Sequence, residues 1–154
     1  MKFFDHALET MPPKALKKLQ FEKLRSMFKI ILGKNRFYTE KFDAAGIDYT
    51  AIQSFNDIVQ IPLTNKKELI KAQQDNPPFG SNATFPESSY SRFHQTSGTT
   101  GKPLRVLDTP KSWEWWGRCW GFVLTAAGLT KNDRLFVPFS FGPFIGFWAA
   151  LEGA

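Results

Sequence analysis

Thr96-Ser97-Gly98-Thr99-Thr100-Gly101-Lys102-Pro103 is the stretch on which the reading of this chain turns. Gly98 and Gly101 let the backbone bend and expose its N–H groups, which can then cradle phosphate oxygens. Ser97, Thr99 and Thr100 add hydroxyl donors. Lys102 adds a positive charge beside a polyphosphate. The G-x-x-x-x-G-K-[ST] spacing of a Walker loop is absent. Pro103 follows Lys102 instead, so that position offers no N–H and the chain enters a strand rather than a helix. Taken alone, these residues also suit a plain hairpin loop, since Ser, Thr and Gly are ordinary turn formers.

The flanks place the loop between strands. Tyr90 to Gln95 and Leu104 to Asp108 read as strands. Residues 111–127 read as a helix, with Trp113, Trp116, Trp120, Leu124 and Ala127 on one face and Gly128 as its stop. Asp133 sits in a predicted turn before a strand at 134–139, and Phe144 to Glu152 begins an apolar helix. This alternation predicts an α/β sheet. Upstream, the pattern is helical. Residues 13–32 carry Phe21, Leu24, Phe28 and Ile31 at three- and four-residue steps, widened by Leu16, Leu19 and Met27, with Pro12 and Pro13 at the start and Gly33 as a stop. A second helix is predicted at 35–45, closed by Gly46. A third follows Ser54 over 55–60. A fourth opens at Asn65 with Glu68 three residues on and runs to Gln74. The expected division is a helical subdomain over 1–86 and an α/β segment over 87–154 that carries the 96–103 loop.

Composition narrows the function classes. The chain has 154 residues, one ordinary domain's worth, with 42% apolar and 22% charged residues, which excludes a disordered polar tail. Sixteen Phe, five Trp and three Tyr predict an aromatic core. Cys119 is the single cysteine, and His6 and His94 are the only histidines. An intramolecular disulfide, a Cys-based zinc site and a His-rich metal cluster are therefore excluded, and no metal-ligating set is predicted. The start has no apolar stretch suited to a signal peptide, so a cytoplasmic protein is the expectation. Leu135 to Leu151 lacks charge, but Pro138, Gly142, Pro143 and Gly146 interrupt it, which favours burial over a membrane span. The whole +6 excess lies in residues 1–41, with ten Lys/Arg against four acids. It reads as one solvated helix face rather than a nucleic-acid surface, because no nucleic-acid motif accompanies it. The Trp stripe and Cys119 read as helix packing, Phe139 as core, and His94 as a hydrogen-bonded strand residue rather than a base.

T-S-G-T-T-G-K-P resembles the phosphate-binding signature of the adenylate-forming enzymes, the superfamily of acyl-CoA synthetases, luciferases and peptide-synthetase adenylation domains. Asn35-Arg36-Phe37-Tyr38-Thr39-Glu40-Lys41-Phe42, Ala45-Gly46-Ile47 and Ile61-Pro62-Leu63-Thr64-Asn65-Lys66 resemble segments of phenylacetate–CoA ligases. So do His94 ahead of the loop, Trp115 to Trp120, Ala126-Ala127-Gly128-Leu129 and Asn132-Asp133-Arg134. The likeness runs from about residue 20 to the end. It implies a helical N-terminal subdomain followed by the first part of the large α/β domain of those enzymes, truncated.

The resemblance also implies a reaction. A carboxylate attacks the α-phosphate of ATP, pyrophosphate leaves, and coenzyme A captures the acyl-adenylate, with Mg²⁺ offsetting phosphate charge. Thr96, Ser97, Gly98, Thr99, Thr100, Gly101 and Lys102 would hold the ATP phosphates. Phe139-Ser140-Phe141-Gly142-Pro143-Phe144 resembles the aromatic–Gly stretch that lines the aryl-acid pocket. This makes Phe141, Gly142 and Phe144 candidate substrate contacts, although Ser140 and Pro143 stand where the family carries a Gly and an apolar residue. The family's later aromatic–Gly–x–Thr–Glu segment, ribose-binding Asp and adenylation Lys do not occur in this sequence, so no catalytic residue is assigned and the chain alone is expected to be inactive. Two other readings stay open. One is an adenylating enzyme with an acceptor other than coenzyme A. The other is a small basic module that binds nucleic acid or an anionic membrane through residues 13–41.

Overall fold

The computed structural model describes residues 2–98 and 101–154. The chain forms two compact units. One is Pro12–Glu87, and the other joins the segment up to Met11 with Ser88–Ala154. The first residues thus belong with the C-terminal unit, whereas the sequence-based division placed them with the helical segment. The reason is packing: Phe4 sets its ring edge-on against Phe122 at 4.9 Å, and Asp5 pairs with Arg118 at 2.6 Å. These contacts also hold a short helix, α1 (His6–Glu9), capped by the Asp5 carboxylate, which accepts the Leu8 N–H. Four residues are too few to leave a periodic signal in the sequence.

The helical unit begins with α2 (Pro13–Ile31), which has Pro in its first turn. Its expected stripe turns to the core, with Phe28 buried and Leu16, Leu19, Phe21, Leu24 and Ile31 half-buried. Phe28 is sealed against Phe42 and Ile52, with Phe21, Leu24, Ile31, Ile47 and Tyr49 packed around them. Met27 is the exception and stays exposed. Next, α3 (Arg36–Ala44) starts at Asn35, whose Oδ1 accepts the Tyr38 N–H at 3.1 Å. The same buried side chain donates to the Asn82 carbonyl at 2.7 Å and to Thr84 Oγ1 at 3.0 Å, tying the 76–84 loop to the helix start. The 55–60 segment is a 3₁₀ turn rather than an α-helix, bracketed by Asp57, which accepts from the Gln53 and Ser54 amides. Finally, α4 (Lys66–Asp75) opens with a reciprocal Asn65–Glu68 box, the two bonds being 2.7 and 3.1 Å.

The second unit carries the loop. β1 (Arg92–Gln95) and β2 (Arg105–Asp108) pair antiparallel, with His94 opposite Val106 and Arg92 opposite Asp108. α5 (Pro110–Ala126) follows at once, capped by Thr109, whose hydroxyl accepts the Ser112 N–H. α6 (Ile145–Gly153) packs along α5. The predicted strand at 134–139 does not form. A strand exists only through ladder bonds to a neighbour, and none of the described residues supplies one, so Phe136 stands 83% exposed. The sheet is consequently a two-stranded hairpin. No helix among the described residues is long and apolar enough to cross a membrane.

Candidate functional site

The phosphate-loop candidate joins the two strands at the closed end of the hairpin. One step beyond the Gln95–Arg105 pair, the Thr96 N–H donates to the Leu104 carbonyl at 2.9 Å, and the Leu104 N–H donates to Thr96 Oγ1 at 3.0 Å. Thr96 therefore fastens the neck of the loop. Gly98 lies at φ +68°, where a side chain is strained. A Cβ there would also stand 2.9 Å from the Gly101 oxygen and 3.1 Å from Pro103. The backbone closes further inward, the Gly101 N–H donating to the Gly98 carbonyl at 2.9 Å. Ser97 and Lys102 are exposed at this tip. Thr99 and Thr100, the other two sequence candidates, lie outside the described residues.

Below the loop, one face of the hairpin rests on α5. His94 and Asp108 are diagonal neighbours on this face, because their ladder partners are Val106 and Arg92. The His94 ring stacks on Trp113 at 5.0 Å, and the Arg92 guanidinium lies 5.5 Å from the centre of the same indole. Asp108 Oδ1 accepts from Ser112 Oγ at 2.9 Å, and Trp113 Nε1 donates to Glu152 of α6 at 2.7 Å. The sequence marked His94 as a hydrogen-bonded strand residue. It is in the strand and buried, but its Nδ1 has no hydrogen-bond partner, and neither has Asp108 Oδ2, 3.8 Å away. Burial holds the His94 pKa below its usual value. Arg92 adds to this effect, and Asp108 opposes it. Sequence reasoning missed Asp108, Ser112 and Glu152. The Asp108-Thr109-Pro110 run did announce a helix start, but nothing local shows which strand residue Asp108 meets.

The aromatic candidates lie on the same unit. The Gln95 N–H donates to the Pro143 carbonyl at 2.8 Å, so the end of β1 touches the 139–144 segment just before the loop begins. Trp148 organises that segment: its Nε1 donates to the Gly142 carbonyl at 2.8 Å, and its ring meets Phe141 edge-on at 5.0 Å. Phe144 stands beside Phe147, and Phe139 stacks on Phe147 at 4.6 Å. Phe141 and Phe144 are each 38% exposed. Phe139 is 58% exposed and is not core, contrary to the expectation, because the strand that would have turned it inward is absent. Trp113 of the predicted stripe is buried, whereas Trp116 is exposed. No group of three or more His, Cys, Asp or Glu side chains among the described residues could hold a metal ion.

No family model matches the chain. Curated proteins do. It is 33% identical to the phenylacetate–coenzyme A ligase of Escherichia coli over 147 residues, which is 96% of this chain and 32% of that protein. It is 33% identical to the phenylacetate–coenzyme A ligase of Thermus thermophilus over 139 residues, 90% of this chain and 30% of that protein. Among solved structures, 2-hydroxyisobutyryl-CoA ligase in the postadenylation state with 2-HIB-AMP matches with a TM-score of 0.89 and 26% identity, over 96% of this chain and 30% of that one. The same ligase with 2-HIB-AMP and CoA, in an open conformation, also gives 0.89 at 26% identity and 34% of its length. The chain therefore spans about a third of the proteins it matches.

Proposed function

We propose that this chain, a relative of phenylacetate–coenzyme A ligases with the fold of the N-terminal part of an adenylate-forming ligase, supplies the phosphate-binding loop of an AMP-forming acid–CoA ligase. The carrying observation is the Thr96–Leu104 neck with Gly98 and Gly101 beyond it, set on a hairpin whose strand end also touches the aromatic segment. In this reading a carboxylate oxygen attacks the α-phosphorus of ATP and pyrophosphate departs. The thiol of coenzyme A then takes the acyl group and releases AMP. Gly98 and Gly101 allow the close approach of the β- and γ-phosphates. Ser97 donates a hydroxyl hydrogen, and Lys102 sets an ammonium against the departing charge. Thr99 and Thr100 complete the proposed cradle, and Thr96 holds its neck. Mg²⁺ would offset the charge of the ATP phosphates. Phe141, Gly142 and Phe144, with Trp148 added by the geometry, form one apolar wall suited to an aryl or other apolar acid.

The test is direct binding. Titrating the purified chain with Mg·ATP and with tripolyphosphate should show an affinity that Lys102→Ala weakens roughly tenfold, the scale of one charge-assisted contact. Gly98→Val should abolish it. A folded wild-type chain that binds neither ligand sinks the reading. The chain alone should form no acyl-adenylate from ATP and phenylacetate.

A further inference from the structure

We infer that His94 and Asp108 form a positioning pair that clamps the base of the phosphate loop, with neutral His94 carrying its proton on Nδ1 and donating it to Asp108 Oδ2. The inference rests on the reading of 96–103 as a phosphate cradle. It adds two residues that touch no phosphate.

Two orphaned polar atoms face each other here. His94 and Asp108 are 4% and 6% exposed, and His94 Nδ1 and Asp108 Oδ2 lack any other hydrogen-bond partner. Buried donors and acceptors are almost always paired. At 3.8 Å the two atoms are about 0.8 Å beyond a usual N–H···O bond. Among the neutral tautomers of His94, only one complements Asp108. Asp108 Oδ1 is already engaged by Ser112, which leaves Oδ2 as an acceptor. A neutral imidazole has one N–H, and only the Nδ1–H tautomer offers a donor to that oxygen. The charged groups around the ring fit this state. Arg92 on β1 disfavours a second positive charge, Asp108 on β2 is the one anion close by, and Glu152 on α6 is turned to the Trp113 indole.

The location makes the pair a clamp. His94 lies two residues before Thr96 on one arm, and Asp108 closes the other arm beyond Leu104. A bond between them crosses the hairpin diagonally, on the face that α5 supports through Trp113 and Ser112. The arms then cannot splay when a polyanion enters the loop, so the Thr96–Leu104 neck keeps its geometry.

Nitrogen-15 NMR of the imidazole in the wild-type chain, near pH 7.5, tests the pair without any mutation. The Nδ1–H tautomer is expected, and a dominant Nε2–H tautomer overturns the inference. Asp108→Asn should shift His94 toward Nε2–H, because the amide can donate to Nδ1. It should also raise hydrogen exchange at the Thr96 and Leu104 amides about tenfold while α5 amides stay unchanged. His94→Asn is the second variant and should loosen the same two amides. An equal rise through α5 would mean general loosening, and would count against a clamp. Tripolyphosphate affinity should fall in both variants. If the wild-type chain binds no tripolyphosphate, the cradle reading fails, while tautomer and exchange still decide whether the two arms are clamped.

Discussion

The two units solve the same folding problem to different degrees. In Pro12–Glu87 the sealed side chains form an apolar cluster, Phe28, Phe42 and Ile52, and α3 and α4 are capped by Asn35 and Asn65, although Val59 and Leu63 stand almost fully exposed and Asn82 Oδ1 is buried without a partner. In the hairpin unit the buried side chains include a facing polar pair, His94 and Asp108, under the Trp113 indole, while Phe136, Phe139, Trp148 and Leu151 remain exposed. The difference lies in what each unit buries: an apolar cluster in one, and a polar pair against an indole in the other.

The largest expected effect lies in the helical core. Phe28 is 3% exposed and meets both Phe42 and Tyr49, so Phe28→Ala removes a ring whose space the neighbours cannot fill. A loss of about 3–5 kcal/mol is expected, read by urea unfolding. Hydrogen exchange should quicken first in residues 12–87. If residues 88–154 loosen equally in the same variant, the contrast between the units does not describe their stability.

Asn35→Ala should come next, at about 2–3 kcal/mol. It deletes a helix cap and leaves the Asn82 carbonyl and Thr84 hydroxyl without their donor. The measurement is the same denaturation curve. A change under about 0.5 kcal/mol, the size of a neutral surface substitution, would mean that the 76–84 loop does not depend on this side chain.

These two residues also mark how far the sequence could be read. Phe28 was legible because helical periodicity is local. So were the Asn65–Glu68 box and the stop at Gly33, since each rule spans a few residues. Asn35 was legible as a helix start, but its bonds to residues 82 and 84 span more than forty positions, and no short-range rule reaches that far. The missing strand at 134–139 shows the opposite failure. Residues 134–139 were read as a strand after the Asp133 turn, yet strand formation is a property of pairs. The site divides in the same way. The glycine turn was legible from residue types, whereas the meeting of His94 with Asp108 depends on hairpin register, which a single strand does not encode.

Acid should separate the units on the pH axis. His94 has its pKa lowered by burial, so the folded state resists a proton that the unfolded chain accepts below about pH 6.5. Both states are neutral above that value and no cost arises. As pH falls below it the unfolded state gains protons first, and the hairpin unit loses stability until the folded pKa is reached. The helical unit has its own shifted groups: Glu68, lowered mainly by Lys41, Asp57, lowered mainly by Ser54, and Asp48, lowered mainly by Thr50. Those contributions are present above the ordinary carboxylate range, near pH 4, and are lost only as pH falls through the folded values. Asp133, lowered by Thr130, adds a similar late loss to the hairpin unit. Hydrogen exchange followed from about pH 7 to about pH 5.5 should therefore weaken 88–154 and spare 12–87. Equal weakening of both units would remove His94 as the cause.

The smallest expected effect tests whether surface charge contributes to the stability of the helical unit. Lys71 and Asp75 are one turn apart on α4, with their charged atoms 2.8 Å apart and their side chains 74% and 52% exposed. Water screens such a pair, and holding two long side chains together costs entropy, so its worth is about 0.3–0.5 kcal/mol. Lys71→Ala should shift the unfolding midpoint barely beyond error, and added salt should erase the difference. The Lys41–Glu68 pair joins α3 to α4 at 2.7 Å, with Lys41 only 14% exposed, so Lys41→Ala should cost visibly more than Lys71→Ala. If the two substitutions cost the same, burial does not decide what an ion pair is worth in the helical unit, and its caps must carry more of its stability than its ion pairs.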